Sequence, residues 1–182
     1  EIPLPPLDVQ QEIVAEIEGY QKLIDGCRQV VDSWKPQIDI DPEWPMVKLG
    51  EVVDNFQYGS SKRSLDRGEI PCLRMGNIQN AAIDWSDLKY APADEEFDKY
   101  LLSENDVLFN RTNSPIHVGK TAIFKGNRRA VFAGYLIRIQ YRKEQIVGDY
   151  LNYCLNSNRA KDFCQKNKND GINQSNINAQ IL

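Results

Sequence analysis

From Asp8 to about Trp34 the apolar residues fall at Ile13, Ile17, Tyr20, Ile24, Cys27, Val31 and Trp34, so the steps alternate between four and three. A period of 3.5 residues predicts the seam of a coiled coil, narrower than the stripe of a helix lying on a core. Pro3, Pro5 and Pro6 exclude helix upstream. Asp8 is expected to cap the first free N–H groups, with Gln11 three residues on completing a capping box. About 27 residues at roughly 1.5 Å each make a rod on the order of 40 Å. Such a seam calls for a second helix. No later segment repeats the pattern for comparable length, which favours a partner from another chain or from a part of the protein outside this sequence over a hairpin within it.

The pattern then changes. KPQIDIDPEWP, residues 35–45, holds three prolines and no helical period, which predicts a stiff linker and a domain boundary near residue 45. The expected division is a Pro-rich turn and long helix over 1–36, a linker over 37–45 and a domain over 46–182. Within that domain, residues 47–64 predict a short strand, a turn at Gly50 and a second strand that dissolves into a polar loop from Tyr58 to Ser64. A strand is expected at Ile70–Met75 and a short helix near Asp94–Leu101. The β-branched and aromatic runs VLFN (107–110), GKTAIF (119–124) and AVFAGYLIRIQYR (130–142) predict further strands. After Val147 a helical period returns to about Lys166, and a short helical turn is expected over Ile177–Leu182. The fold class is α+β: a long coiled-coil-type N-terminal helix followed by a β-rich mixed domain.

Composition narrows the class. At 41% hydrophobic and 26% charged residues, the chain has ordinary globular make-up. It contains no apolar run of membrane-spanning length and no signal-peptide pattern, so a cytoplasmic setting without a membrane partner is expected. Cys27, Cys72, Cys154 and Cys164 have no CxxC spacing and His117 is the single histidine, which predicts buried reduced thiols and no metal. The net charge of −4 hides a division: residues 1–55 carry 4 Lys/Arg against 12 Asp/Glu, whereas residues 56–182 carry 18 against 14. An acidic arm is joined to a domain able to present a basic surface.

Catalytic signatures are weak. Asn113-Ser114-Pro115 lacks a proline and the aromatic of the Asn-Pro-Pro-aromatic loop with which amino-methyltransferases hold a base. No GxxxxGK[ST] phosphate loop occurs, His117 has no partner at informative spacing, and no paired carboxylates stand out. Four loops instead carry amides, hydroxyls and cations suited to base edges and phosphates. They are Gln57, Tyr58, Ser60, Ser61, Lys62 and Arg63; Arg74, Asn77, Gln79 and Asn80; Asn110, Arg111, Thr112, Asn113, Ser114, His117 and Lys120; and Asn173, Gln174, Ser175 and Asn176. Each alone is an ordinary polar loop; four in one domain suggest DNA recognition.

IPLPPLDVQQEIVAEIE (2–18) closely resembles the Pro-rich turn and helix start of type I restriction-modification specificity subunits. Further pieces agree in order: Trp44-x-x-Val47-Lys-Leu49-Gly50-Glu-Val52, IPCLRMGNIQ (70–79), LLSENDVLFNRTNS (101–114), GKTAIF, and the ending GINQSNINAQIL (171–182). The PLPPL-x-x-Q core is the specific part and the rest is loose. The resemblance implies about half of such a subunit: one spacer helix, and over 46–182 one target recognition domain that reads half of a split double-stranded DNA site. It implies no catalysis and no cofactor in this chain. S-adenosylmethionine, ATP and Mg are expected on partners, namely modification (methyltransferase) subunits and a restriction (translocase/endonuclease) subunit. A chain that opens at the turn, lacks an initiator Met and closes short of a second turn agrees with a fragment or a processed chain, although Met removal alone would also explain the start. With its usual partner helix missing, two copies are expected to pair through Ile13, Ile17, Tyr20, Ile24, Cys27 and Val31, giving a homodimer. Two alternatives stand beside this reading: a coiled-coil decoy that binds the modification subunit without reading DNA, and a methyltransferase or nuclease in its own right.

Overall fold

The computed structural model describes residues 2–33, 41–93, 97–126, 128–172 and 174–182, apart from the side chain of Asp32. The chain divides into two compact units, Glu1–Pro45 and Met46–Leu182. In the first, helix α1 spans Leu7–Ser33. Because Leu7 is already helical, Asp8 lies inside the first turn, and the start is closed differently from the expected capping box. Gln10 reaches back, its Nε2 donating to the Pro5 carbonyl at 2.7 Å, while its backbone N–H donates to Pro6 at 3.0 Å. Trp34, the last expected seam residue, and positions 37–40 of the linker lie outside the described residues. The seam itself is exposed, from 46% at Ile13 and Ile24 to 73% at Val31. Gly19 and Gly26, both inside the helix, each cost about 1 kcal/mol relative to alanine. A helix so weakened needs its exposed seam packed, because propensity alone gives it little stability.

The second unit opens with a helical turn, α2, at Leu49–Val52, where the pattern predicts the end of a short strand, a turn at Gly50 and the start of a second strand. Leu49 and Val52 pack on the core from this turn, so one helical turn delivers both apolar side chains inward. The strands β1 (Val53–Tyr58), β2 (Pro71–Leu73), β3 (Ile78–Gln79), β4 (Ala82–Ile83) and β5 (Lys89–Tyr90) follow, then α3 (Phe97–Tyr100). Residues 94–96, where the short helix was expected to begin, lie outside the described set. Next come β6 (Val107–Asn110), β7 (Thr112–Asn113), β8 (Thr121–Ile123), β9 (Val131–Phe132), β10 (Leu136–Tyr141), α4 (Gly148–Asn156), α5 (Asn158–Asn167), β11 (Asn169–Asp170) and β12 (Ser175–Asn176). A turn closes the chain where a short helical turn was expected, with Ile181 N–H donating to Asn178 at 3.0 Å.

An antiparallel sheet in the order β1-β10-β6-β8 divides the domain into layers. Period-two alternation puts Val107, Phe109, Ile123, Ile137, Ile139 and Tyr141 on one face, against Leu151 of α4, Cys164 of α5 and Ile177. Leu108, Ala122 and Leu136 face the other way, onto Leu73, Ile78 and Phe132. The run at 130–142 is therefore two strands serving two sheets: β9 pairs in parallel with β2, and β10 is central to the main sheet. Gly59 makes room for that split. A Cβ there would collide with the Phe132 and Ala133 carbonyl oxygens, while Ser60 N–H donates to Phe132 at 2.8 Å and Gly134 N–H to Ser60 at 2.7 Å.

A buried polar network joins α4 to the sheet. Thr121 Oγ1 donates to Asn152 Oδ1 at 2.9 Å, Asn156 Nδ2 donates to Thr121 Oγ1 at 2.5 Å, and Asn152 Nδ2 donates to the Ala81 carbonyl at 2.9 Å. That carbonyl lies in the β3–β4 hairpin, where Asn80 and Ala81 both have positive φ, 50° and 61°, as a two-residue turn of this kind demands.

Candidate nucleic-acid interface

The four polar loops are linked by direct contacts. β7 pairs antiparallel with β12, Thr112 opposite Asn176 and Asn113 opposite Ser175, so the third and fourth groups form one small sheet with β11. Its fulcrum is Arg111. The guanidinium stacks 4.9 Å from the centre of the Tyr58 ring, Nη1 donates to the Gly134 carbonyl at 3.4 Å and Nη2 to Asn176 Oδ1 at 3.2 Å. Its Nε is buried without a hydrogen-bond partner. Tyr58 in turn donates to Asn178 Oδ1 at 3.0 Å and accepts from Ala179 N–H at 3.3 Å. The second group joins through Lys120, whose Nζ donates to Gln79 Oε1 at 3.1 Å, and through Asn110, whose Nδ2 donates to the Met75 carbonyl at 3.3 Å.

These contacts sort the sequence candidates. Asn77, Asn110 and Ser175 are buried, the two amides holding backbone and the hydroxyl a carboxylate. Asn77 donates to the Asp84 and Asp87 carbonyls and accepts from Arg74 N–H, and the Ser175 hydroxyl donates to Asp170. Ser60 is likewise buried, at the approach to Gly134. Gln57 sits apart, accepting from Arg138 Nε at 3.1 Å and donating to the Lys99 carbonyl at 2.7 Å. Arg138 also pairs with Asp106 at 2.9 Å, both largely buried. Arg74 is engaged with Asp87 at 3.0 Å. Asn113 and Ser114 are half-buried in the turn after β7, where Ser114 N–H donates to Asn113 Oδ1 at 2.8 Å. Ser61, Lys62, Arg63, His117, Gln174 and Asn80 are exposed, and Asn173 lies outside the described residues.

Electrostatically, burial and the nearby Lys161 ammonium hold the Lys120 amine below its ordinary value. The Asp170 carboxyl is held down by hydrogen bonds from Lys168 and Ser175. Two contributors escape a sequence reading. Lys161 lies on α5 and reads as one more surface helix residue, and Asn178 lies in the final turn. Cys72 and Cys164 are buried and Cys154 is half-buried, whereas Cys27 is exposed on α1, against the expectation of buried thiols. Among the described residues no group of three or more His, Cys, Asp or Glu could hold a metal, and no helix is long and apolar enough to cross a membrane.

The class defined by these observations is an α+β domain with a polar, partly basic loop cluster, preceded by a long helix with a coiled-coil seam. No protein-family model matches the chain. Individual proteins do: it is similar to type I restriction enzyme specificity subunits. The MjaX subunit of Methanocaldococcus jannaschii is 29% identical over 148 residues, 79% of this chain and 35% of that protein. The MjaVIII subunit of the same organism is 25% identical, covering 91% of this chain and 46% of its own length. The EcoKI subunit of Escherichia coli K12 is 22% identical over 100% of this chain and 46% of its own. The chain thus spans between a third and a half of these relatives. Among solved structures, the HsdS subunit from Thermoanaerobacter tengcongensis superposes with a TM-score of 0.46 at 21% identity, covering 88% of this chain and 46% of that one.

Proposed function

We propose that this chain acts as about half of a type I specificity subunit: a non-catalytic, cytoplasmic component whose 46–182 domain reads one part of a split double-stranded DNA site. The observation that carries this reading is the loop cluster around Tyr58 and Arg111. Stacking, hydrogen bonds and strand pairing fix its base, and Ser61, Lys62, Arg63, His117 and Gln174 are left exposed. A rigid base with exposed amide, imidazole and cationic tips suits groove readout, because buried groups position the tips that specify bases. The similarity to named specificity subunits supports the same function.

Methyl transfer and cleavage would then belong to modification and restriction subunits, which would also hold S-adenosylmethionine, ATP and Mg. α1 pairs with the same helix of a second copy through Ile13, Ile17, Tyr20, Ile24, Cys27 and Val31, burying the exposed seam. Such a two-fold pair would read a palindromic split site. The test is selection from a random duplex library by the chain mixed with a cognate modification subunit. Enrichment of a split motif is expected, with mirrored halves for the homodimer. A stable complex that enriches nothing would overturn DNA reading and favour a docking module. Sedimentation at one chain's mass across a wide concentration range would overturn the pairing.

A further inference from the structure

We propose that Lys120 and Lys161 form a phosphate-holding pair in the seam between α5 and the turn that follows β7, gripping the DNA backbone beside the loop tips. This rests on the DNA-binding reading above and assigns these two side chains to backbone grip rather than base readout. Lys120 is anchored. Its backbone carbonyl accepts from Asn110 N–H at 2.8 Å, and its Nζ donates to Gln79 Oε1 at 3.1 Å. Gln79 is itself tied to the Gly76 carbonyl at 3.0 Å. One neutral acceptor leaves two of the three ammonium N–H groups free for an anion.

Lys161 approaches from α5. Four residues on, on the same helix face, Gln165 Nε2 donates to the Pro115 carbonyl at 2.8 Å, so this face meets the turn that leads to Lys120. Cys164, three residues after Lys161 on the same helix face, packs so closely on Gly119 that a Cβ there would lie 2.7 Å from its Sγ, and Lys161 adds to burial in disfavouring the charged form of Lys120.

No carboxylate relieves this repulsion among the described residues. Asp149 is engaged by Lys125 at 2.6 Å, and Asp170 by Lys168. Two ammonium groups brought together by the fold, one of them held by a glutamine, are the electrostatic complement of a phosphate oxygen pair. Lys166 lies roughly 140° around α5 from Lys161 at about 100° per residue, and its charge serves as the control.

The experiment measures affinity against salt concentration for the full chain with its modification subunit, on the selected duplex and on a scrambled one. Lys120→Gln with Lys161→Gln is expected to weaken binding to both duplexes by the same factor. It should make the log–log salt slope shallower by about 1, the loss of one phosphate contact, and leave the selected motif unchanged. Lys120→Arg with Lys161→Arg should restore the slope, and Lys166→Gln should leave it at the wild-type value. An unchanged slope in the double glutamine variant, an equal effect of Lys166→Gln, or an altered motif would overturn the pair. Equal wild-type affinity for both duplexes would instead overturn sequence reading and leave the slope comparison valid. A wild-type protein with no salt-dependent DNA affinity would overturn both.

Discussion

Asn152→Ala is expected to destabilise the 46–182 domain by about 3 kcal/mol. The side chain is 3% exposed, accepts from Thr121 Oγ1 at 2.9 Å and Asn156 Nδ2 at 3.2 Å, and donates to the Ala81 carbonyl at 2.9 Å. Alanine removes all three bonds, each with a net value of about 1 kcal/mol. The Thr121 hydroxyl keeps a fallback acceptor in the Asn152 carbonyl at 3.4 Å, whereas the Ala81 carbonyl loses its side-chain donor. At roughly 2–4 °C per kcal/mol for a protein of this size, the midpoint should fall by about 6–12 °C. Denaturant titration gives the direct measure: the midpoint should drop with an unchanged slope. Asn152→Asp is the informative companion. It keeps the acceptor but turns an oxygen towards the Ala81 carbonyl and buries a charge, so it should be at least as damaging at neutral pH. Burial raises the folded-state pKa of that carboxyl, so its penalty should shrink as the pH falls and the protonated acid donates to Ala81. An alanine variant within about 1 kcal/mol of wild type, against the roughly 3 kcal/mol summed from three bonds, would refute the view that this network docks α4 and the hairpin.

Ala81→Gly is expected to stabilise the domain by about 0.5 kcal/mol, because relief of a left-handed alanine at roughly 1–2 kcal/mol outweighs the entropy cost of glycine; thermal melting checks the sign. Arg111→Met should lower discrimination between selected and scrambled duplexes about tenfold while leaving the salt slope unchanged, since this guanidinium braces Tyr58 and Asn176; competition binding at several salt concentrations measures both. Asp170 is held below its ordinary value of 3.8 by Lys168 and Ser175, so its support for the β11–β12 hairpin is complete above that value and is lost as the pH falls through the depressed one. The protection factor of the Ser175 amide, its exchange rate relative to an unstructured amide at the same pH, should fall in that acid window and stay constant between pH 5 and 7, a range above the ordinary Asp value of about 3.9.

Periodicity made the long helix and the four strands of the main sheet legible because burial dictates both. Ile13 to Val31 repeat at 3.5, and Leu136 to Tyr141 alternate as a half-covered strand does. Local signals failed where a tertiary demand overrode them. Val47 to Val53 suggest two strands joined by a turn at Gly50, yet a single helical turn over Leu49–Val52 places Leu49 and Val52 on the core. The polar run at 167–178 reads as a loop because nothing in its own residues reveals that β12 will find β7. The candidate loops were located by residue type, but type cannot separate a brace from a tip. Asn77 and Asn110 have the same side chain as Asn80; the first two are buried and the last is exposed. Arg111 and Arg63 differ in the same way, through neighbours distant in sequence.

The pairing of β7 with β12 also sets the order in which the domain can be completed. Thr112 and Asn176 are 64 residues apart and joined by a side-chain hydrogen bond, and Ile177, fully buried, donates its N–H to the Arg111 carbonyl at 2.9 Å. At roughly 5–20 residues per second of synthesis, β7 waits on the order of 3–13 seconds on the ribosome before its partner exists. The loop cluster is therefore the last part of the domain to take shape, and an unfinished or C-terminally clipped chain keeps much of its sheet while lacking the surface that Arg111 organises.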